Sequence, residues 1–390
     1  MSEAARIDVL VDGIPPSSGA LGRTEDIALT TDGRWLLAAG YAYDSIWAFE
    51  MLRTAEALHL GAPLRLTSPK LAGPHGVVGV DRVAAGSLIV VANRAGTLSF
   101  HVLTDEGAML DLDVAEPDVD MPTPARSPSV LCVGPRRRGV VELYSCSNDI
   151  PVLRRTTLRI DNEGLRIEDD QAIELPLVAV PDGLAVSDDG RWLALSNHRY
   201  HRVCLYSLER PIGAGRTPDG IVSGIAYPHG LRFVPGRPIL LAADAGAPYV
   251  HVVDGSGGWC GMHRVARSVR VMDDATFREY RYNPMEGGAK GLDITADGAM
   301  FLITSQAQPL AAFAVPSEVP TDNAEVTTWA ADRERAEFEE WFATGVTNAW
   351  LENELRMLRE FVAAWNDTKL VRWTRPLRAL YARVRQRLQR

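Results

Sequence analysis

The sequence predicts an all-β chain that closes on itself as a β-propeller and continues into an α-helical extension. Three observations carry this. A pattern of short apolar strands and turns recurs six times before residue 317, at a spacing of roughly 50 residues. Each copy has room for four strands, the content of a propeller blade. Beyond residue 316 the pattern stops and helix formers take over.

The clearest copies are "TEDIALTTDGRWLLAAGYAYDSIWAFE", "PHGVVGVDRVAAGSLIVVANRAGTLSFHVL", "PDGLAVSDDGRWLALSNHRYHRVCLYSL", "PHGLRFVPGRPILLAADAGAPYVHVVD" and "AKGLDITADGAMFLITSQAQPLAAFAV"; "SPSVLCVGPRRRGVVELYSCSNDIPVLRRTTL" is a degenerate one. Aligned by their heads they begin near Glu25, His75, Pro128, Asp182, His229 and Lys290. Each runs strand, turn, longer strand, polar turn, aromatic-containing strand, and segments such as "MLDLDVAE" and "LRIEDDQAIEL" supply a more polar fourth. The turns at Asp32-Gly33, Asp189-Gly190 and Asp297-Gly298 are hairpin signals, because glycine accepts positive φ without a steric cost. Six four-stranded blades follow, with seven the alternative count. The last copy lacks a fourth strand, and "RIDVLVDG" (Arg6 to Gly13) alternates apolar and polar residues. It is expected to supply that strand and close the ring, removing the unpaired edges of an open array.

Residues 1–316 are assigned to the propeller, 317–327 to a linker, 328–367 to a helical segment and 368–390 to a basic amphipathic helix. Trp350, Leu351, Leu355, Leu358 and Val362 recur at helical spacing in the third part. The last contains one lysine and seven arginines with no acid. Leu377, Leu380, Tyr381, Val384 and Leu388 fall on one face, and Arg372, Arg375, Arg378, Arg383, Arg385 and Arg387 fill most of the other. Such a helix suits an anionic membrane surface or an acidic partner protein; packing on the propeller's own wall is the plainer alternative.

The whole chain has 390 residues, 46% of them hydrophobic, and a formal charge of -9. That balance argues against a general nucleic-acid binder. Cys132, Cys146, Cys204 and Cys260 form no CxxC pair, which removes zinc-ribbon and thioredoxin readings and leaves buried thiols in a reducing compartment. The N-terminus carries acids and no long apolar run, and no apolar stretch reaches spanning length. The expected place is the cytoplasm, peripheral at the inner membrane.

The "PHG" and "PDG" heads followed by "SDDGRWLALSN" resemble the gluconolactonase, regucalcin and strictosidine-synthase group, and NHL and YVTN repeats. "VRWTRPLRAL" (Val371 to Leu380), behind "LENELRMLREFVAAW", is similar to the C-terminal tails of bacterial glycosyltransferases and methyltransferases of surface-polysaccharide assembly, with Arg372 where those tails carry serine. The first resemblance implies a six-bladed propeller, the second a membrane-proximal role in glycan biosynthesis. No nucleotide-sugar motif, Gly-rich phosphate loop, GxSxG elbow or HExxH helix accompanies them.

The head of each blade's first strand points at the propeller axis. Glu25, His75, Asp182, His229 and Lys290 therefore form one ring, with Pro128 or Ser129 completing it. These five are the candidates for catalysis. Asn93, Asn197, His198, Asp244 and Gln306, after the second strands, are candidates for substrate contact. His198 and His201 sit in what reads as an exposed turn, and His251 and His263 have no supporting neighbours. The gluconolactonase resemblance implies a divalent metal, with Glu25 matching the first-blade glutamate and Asp182 an Asn-type ligand. His229 stands where aspartate is usual, and Pro128 or Ser129 where asparagine is. A Glu25, Asp182 and His229 set suits a transition metal better than calcium. Lys290 weighs against a metal, since an ammonium could neutralise the carboxylates itself. Two histidines could instead carry protons or donate to a sugar or phosphate.

Three functions stay open. The first is a carbohydrate-directed propeller, binding or modifying a glycan or small molecule near the inner membrane in bacterial surface-polysaccharide biosynthesis. The second is a metal-dependent lactonase or esterase. The third is a non-catalytic interaction scaffold.

Overall fold

The computed structural model describes residues 6–12, 21–53, 57–114, 127–137, 139–161, 164–175, 177–279, 286–305 and 310–317. All belong to one compact unit, Met1–Arg281 with Met285–Ala330; a second unit, Tyr282–Pro284 with Ala331–Arg390, lies outside the described residues. So do the expected helical segment 328–367, the basic helix 368–390 with Arg372, Arg375, Arg378, Arg383, Arg385 and Arg387, and Gln306. The described fold is all-β and propeller-like. One six-residue helix, Asp274–Glu279, interrupts it, which no periodicity announced. Among the described residues no helix is long and apolar enough to cross a membrane.

Four small sheets and one large one make up the fold. The first small sheet holds Pro74–Val83, Gly86–Asn93, Leu98–Leu103 and Met109–Leu112. The second holds Pro128–Arg137, Val140–Ser147, Ile150–Asp161 and Gly164–Glu174. The third holds Leu184–Val186, Trp192–Asn197, Arg202–Ser207 and Gly220–Ser223, with Gly261–Arg264 added in parallel at its edge. The fourth holds Pro228–Phe233, Ile239–Asp244, Tyr249–Asp254 and Arg267–Arg270. All other pairings in the small sheets are antiparallel. The "MLDL" and "LRIEDDQAIE" segments are the outer strands of their sheets, as the repeat alignment expects. The degenerate copy forms the sheet with the longest outer hairpin, 12 and 11 residues.

The large sheet has nine strands. Thr24–Leu29, Trp35–Gly40, Ser45–Arg53 and Leu64–Thr67 make one half, and Leu292–Ile294, Met300–Ile303 and Ala311–Ala314 the other. Arg6–Val11 joins them. It pairs antiparallel with Ala311–Ala314 through Arg6↔Phe313 and Ile7↔Ala312, where the sequence places it. It also runs parallel to Ala57–Leu60, from Asp8↔Ala57 to Val11↔Leu60, a contact the sequence did not indicate.

The first strands neighbour one another in a closed circle. Thr24–Leu29 lies beside Pro74–Val83, then come Pro128–Arg137, Leu184–Val186, Pro228–Phe233 and Leu292–Ile294, which returns to Thr24–Leu29. The apolar core fills the seams between successive groups of strands: Leu37 with Val91, Val90 with Leu143, Tyr144 with Leu195, Leu205 with Leu240, Leu241 with Phe301, and Leu302 with Ile27. Second strands pack on both faces. That is why Gly86–Asn93 and Ile239–Asp244 are buried throughout and read as mostly apolar runs without alternation.

Two local devices follow from the repeat. In "TTDG", "SDDG" and "TADG" the glycine sits at φ +68°, +68° and +65°. The hydroxyls of Thr30, Ser187 and Thr295 donate to Asp32, Asp189 and Asp297 at 2.6, 2.5 and 2.6 Å and accept the backbone N–H five residues on. The aspartate is thus a turn acceptor, which confirms "SDDG" as hairpin chemistry. At the heads, glycine is required by close approach. A Cβ on Gly183 would lie 1.8 Å from His229 O, on Gly230 2.5 Å from Lys290 O, and on Gly291 2.7 Å from Asp26 Cα. Each head glycine lets the next first strand reach the axis.

Candidate functional site: a buried ring and a two-histidine carboxylate cluster

The ring begins with bulges. At four heads the antiparallel register slips, between Thr24 and Ile27, Pro74 and Gly76, Pro128 and Val130, and Pro228 and Leu231. Bulges re-aim side chains, and these four enclose Glu25 and Asp26, His75, Ser129, and His229 and Gly230. The structure brings Glu25, His75, Asp182, His229 and Lys290 together. His75 Nε2 is 3.8 Å and His229 Nε2 4.0 Å from Glu25 Oε2, while His75 Nδ1 is 3.8 Å from Asp182 Oδ1. All five are buried.

The ring divides into two electrostatic halves. In one, Glu25 is fully buried and accepts from Arg23 Nε and, at 2.8 Å, from Lys290 Nζ. Lys290 also pairs with Glu286 Oε2 at 2.7 Å. Burial alone would push the Glu25 carboxyl up. The charges of Lys290, His75 and Arg23 outweigh it and bring the group down to about 2. Glu286 follows the same pattern, with burial opposed chiefly by Lys290, and also falls to about 2. Lys290 is held above its ordinary value because Glu25 and Glu286 overcome its own desolvation. These two cations and two anions cancel. The expected pairing of Glu25 with Lys290 is therefore found. Arg23 and Glu286 were missed; the only signal was their spacing, two residues before Glu25 and four before Lys290.

In the other half, Asp182, His198 and His229 form a cluster that could hold a metal ion: their ligating atoms all lie within 4.8 Å of one another. His229 Nε2 is 3.6 Å and His198 Nδ1 3.8 Å from Asp182 Oδ2. His198 is the correction to the reading of an exposed turn. It is buried, on a short 3-10 turn, and tilts against Tyr227 and His229 at ring-centroid distances of 4.2 and 5.2 Å. Burial lowers His198, and burial with the neighbouring charge of His198 lowers His229 well below the ordinary imidazole range. Burial thus favours the neutral ring at both positions, the form that keeps a lone pair for an ion. Asp182 Oδ1 and His198 Nε2 are buried with no hydrogen-bond partner. Buried polar atoms normally have one, so these two mark where a bound group would be satisfied.

Around the cluster, Ser129 Oγ donates to Asn148 Oδ1 at 2.5 Å, and Asn148 Nδ2 donates to Asp182 Oδ2 at 3.0 Å. Ser129, not Pro128, thus completes the ring. His75 Nδ1 is 2.7 Å from Ser129 O, so it carries the proton and donates to that carbonyl. Tyr41 stands edge-on to His75 at 6.0 Å. Asn148, His198 and Tyr41 each lie one residue past the end of a second strand.

Of the residues picked after the second strands, His198 is in the cluster, while Asn93, Asn197 and Asp244 do something else. Asn93 accepts from Ala72 N at 3.0 Å and donates to Thr97 O and Ser99 Oγ, both at 2.9 Å. Asn197 accepts from Ala179 N at 3.2 Å and donates to Leu177 O at 2.7 Å. Asp244 accepts from Ala226, Tyr227 and Gly246 N–H at 2.8, 2.8 and 2.9 Å. They staple loops, and their polar groups are engaged. His251, read as unsupported, pairs with Asp244 at 3.0 Å and Ser268 at 2.8 Å. A look-alike of a nucleophilic triad, Ser99–His101–Asp111 with both contacts 2.8 Å, belongs to the same class. Its counterpart Asp244–His251–Ser268 reverses the order in another sheet, so the network knits neighbouring strands. Of the four cysteines three are buried and Cys260 is exposed, which departs from the expectation of buried thiols throughout; none forms a disulfide.

No family model matches the chain, and no curated protein does. Among solved structures it is similar to a functionally unknown protein from Desulfotomaculum acetoxidans, at 14% identity over 78% of this chain and 87% of that one, with a TM-score of 0.46.

Proposed function

We propose that the chain is a six-bladed propeller whose axial site holds a divalent transition metal on Asp182, His198 and His229 and hydrolyses a small oxygen-rich molecule of the lactone or ester type. The circle of six first strands and the six core seams support the blade count. One observation carries the site: two neutral imidazoles and a carboxylate converge, with Asp182 Oδ1 and His198 Nε2 buried and unpartnered. Ligand atoms about 2.1 Å from a tetrahedral ion stand about 3.4 Å apart, close to the 3.6 Å between His229 Nε2 and Asp182 Oδ2. A two-nitrogen, one-oxygen set suits a transition ion better than calcium.

When bound, such an ion would supply Lewis acidity and a water acidified toward neutrality. The chain's own residues supply the rest. Asn148 and Ser129 fix the Asp182 carboxylate. His75 donates its Nδ1 proton to the Ser129 carbonyl and turns Nε2 toward Glu25 Oε2, 3.8 Å away. Lys290 and Arg23 hold Glu25 ionised, so it adds no proton to the site. The test is a panel of sugar lactones and aryl esters. Hydrolysis is expected to vanish with a chelator, to return with zinc or cobalt, and to fall at least 100-fold in Asp182→Asn. Turnover that ignores both chelator and variant would refute the metal role, and no turnover with any member would leave the scaffold reading ahead.

A second reading concerns the natural ligand and place. The seven arginines of residues 369–390, without an acid, favour attachment to an anionic membrane. With the tail's resemblance to surface-polysaccharide enzymes, they favour a carbohydrate intermediate as the molecule in the ring. Full-length protein is expected to sediment with phosphatidylserine vesicles at low salt, and a chain ending at residue 368 to stay in solution. Equal sedimentation of the two would exclude this role for the tail.

A further inference from the structure

Away from the ring, a cleft of about 320 Å³ lies between the second and third small sheets. Its origin is a mismatch in strand length. The hairpin Ile150–Asp161 and Gly164–Glu174 is much longer than its neighbours Arg202–Ser207 and Gly220–Ser223, of six and four residues. Tyr144, Ile173 and Ile212 line the cleft and belong to the apolar seam between these sheets. Its size is at the lower end of small-molecule sites.

Among the charged side chains that line it, guanidiniums outnumber carboxylates three to two. Arg137, Arg155 and Arg210 all line it. Arg137 is exposed and makes no ion pair with any described residue. Arg155 Nη2 reaches Asp169 at 3.3 Å, but its Nε is buried with no acceptor. Arg210 shares its partner: Asp219 accepts from Arg210 Nη2 at 3.1 Å and from Arg216 Nη2 at 2.5 Å, one carboxylate for two guanidiniums. The cleft's own acids are already engaged. Glu142 accepts the Tyr144 hydroxyl at 2.7 Å, and Glu209 pairs with Arg191. Guanidinium groups bind carboxylates through paired N–H donors, and a buried N–H without an acceptor is the exception in folded proteins.

We infer that this cleft is a second ligand site, independent of the axial one, for a small monocarboxylate with an apolar body. The carboxylate is held by Arg155 and Arg137 and the body lies on Tyr144, Ile173 and Ile212. The probes are benzoate and octanoate, with benzyl alcohol and octanol as uncharged counterparts, titrated calorimetrically into the full chain. One carboxylate at least is expected to bind saturably at one equivalent, and neither alcohol to do so. Arg155→Gln is expected to weaken binding about tenfold or more, and Arg137→Glu, on an exposed side chain that folding does not need, several-fold. Asp182→Asn is expected to leave binding unchanged, which separates this site from the axial one. Absence of saturable binding by both carboxylates, equal binding of the alcohols, or unchanged affinity in both arginine variants would overturn the inference. So would binding of poly-glutamate alone, which would make the cleft a protein contact.

Discussion

Gly183→Ala is expected to destabilise the propeller-like fold by about 3 kcal/mol or more and to leave the axial cluster unformed. The added Cβ would sit 1.8 Å from the carbonyl oxygen of His229, and that oxygen is backbone of the adjoining first strand. Nothing flexible can yield. Either Leu184–Val186 or Pro228–Phe233 must move outward; Asp182 lies two residues before the first of these strands and His229 within the second. Overpacking in a tight interior costs about 1–3 kcal/mol and more where only backbone can move. Gly213→Ala is the control, because a Cβ there meets nothing within 4 Å. Urea unfolding of the two variants should give a midpoint well below the parent's for the first and unchanged for the second. Similar midpoints would mean that the strands are not so close at the axis.

The second large effect is expected at Glu25. Glu25→Gln removes the charge between Arg23 and Lys290, two cations that share one fully buried carboxylate. Removing one partner of a buried pair costs about 3–5 kcal/mol, because the remaining charge stays desolvated. Lys290 keeps Glu286 at 2.7 Å, which places the expected loss near the lower figure. Metal affinity should be unaffected, since Glu25 is engaged elsewhere. A variant as stable as the parent, or one that loses its metal, would contradict the division of the ring into two halves.

Much of this arrangement was legible in the sequence, and the rest was hidden for identifiable reasons. Repeats betray heads, because proline and glycine there answer to blade geometry. Hence Glu25, His75, Asp182, His229 and Lys290 could be placed in one ring. The closing strand Arg6–Val11 was legible from its alternation. What failed was register. The second strands end at Asn93, Asn197 and Asp244, and these polar residues invited a role in the ring. The residues one place later, Asn148, which was not picked, and His198, which was, are the ones that reach Asp182. The pairing of Glu25 with Lys290 was legible from their places at the heads, whereas Glu286, the second partner of Lys290, belongs to no repeat position and was not. The third repeat looked degenerate for lack of a D-G turn, yet its hairpin is the longest. Its strands are charged and cross-paired, as in Arg154 with Asp170, so apolar periodicity is weak there.

Cobalt titration into metal-stripped full-length protein tests the central claim most directly. Visible d–d absorption should rise to a plateau at one equivalent, and His229→Ala and Asp182→Asn should lose it while Glu25→Gln keeps it. Absorption that never saturates, or a spectrum that survives in His229→Ala, would contradict a metal centre at Asp182, His198 and His229.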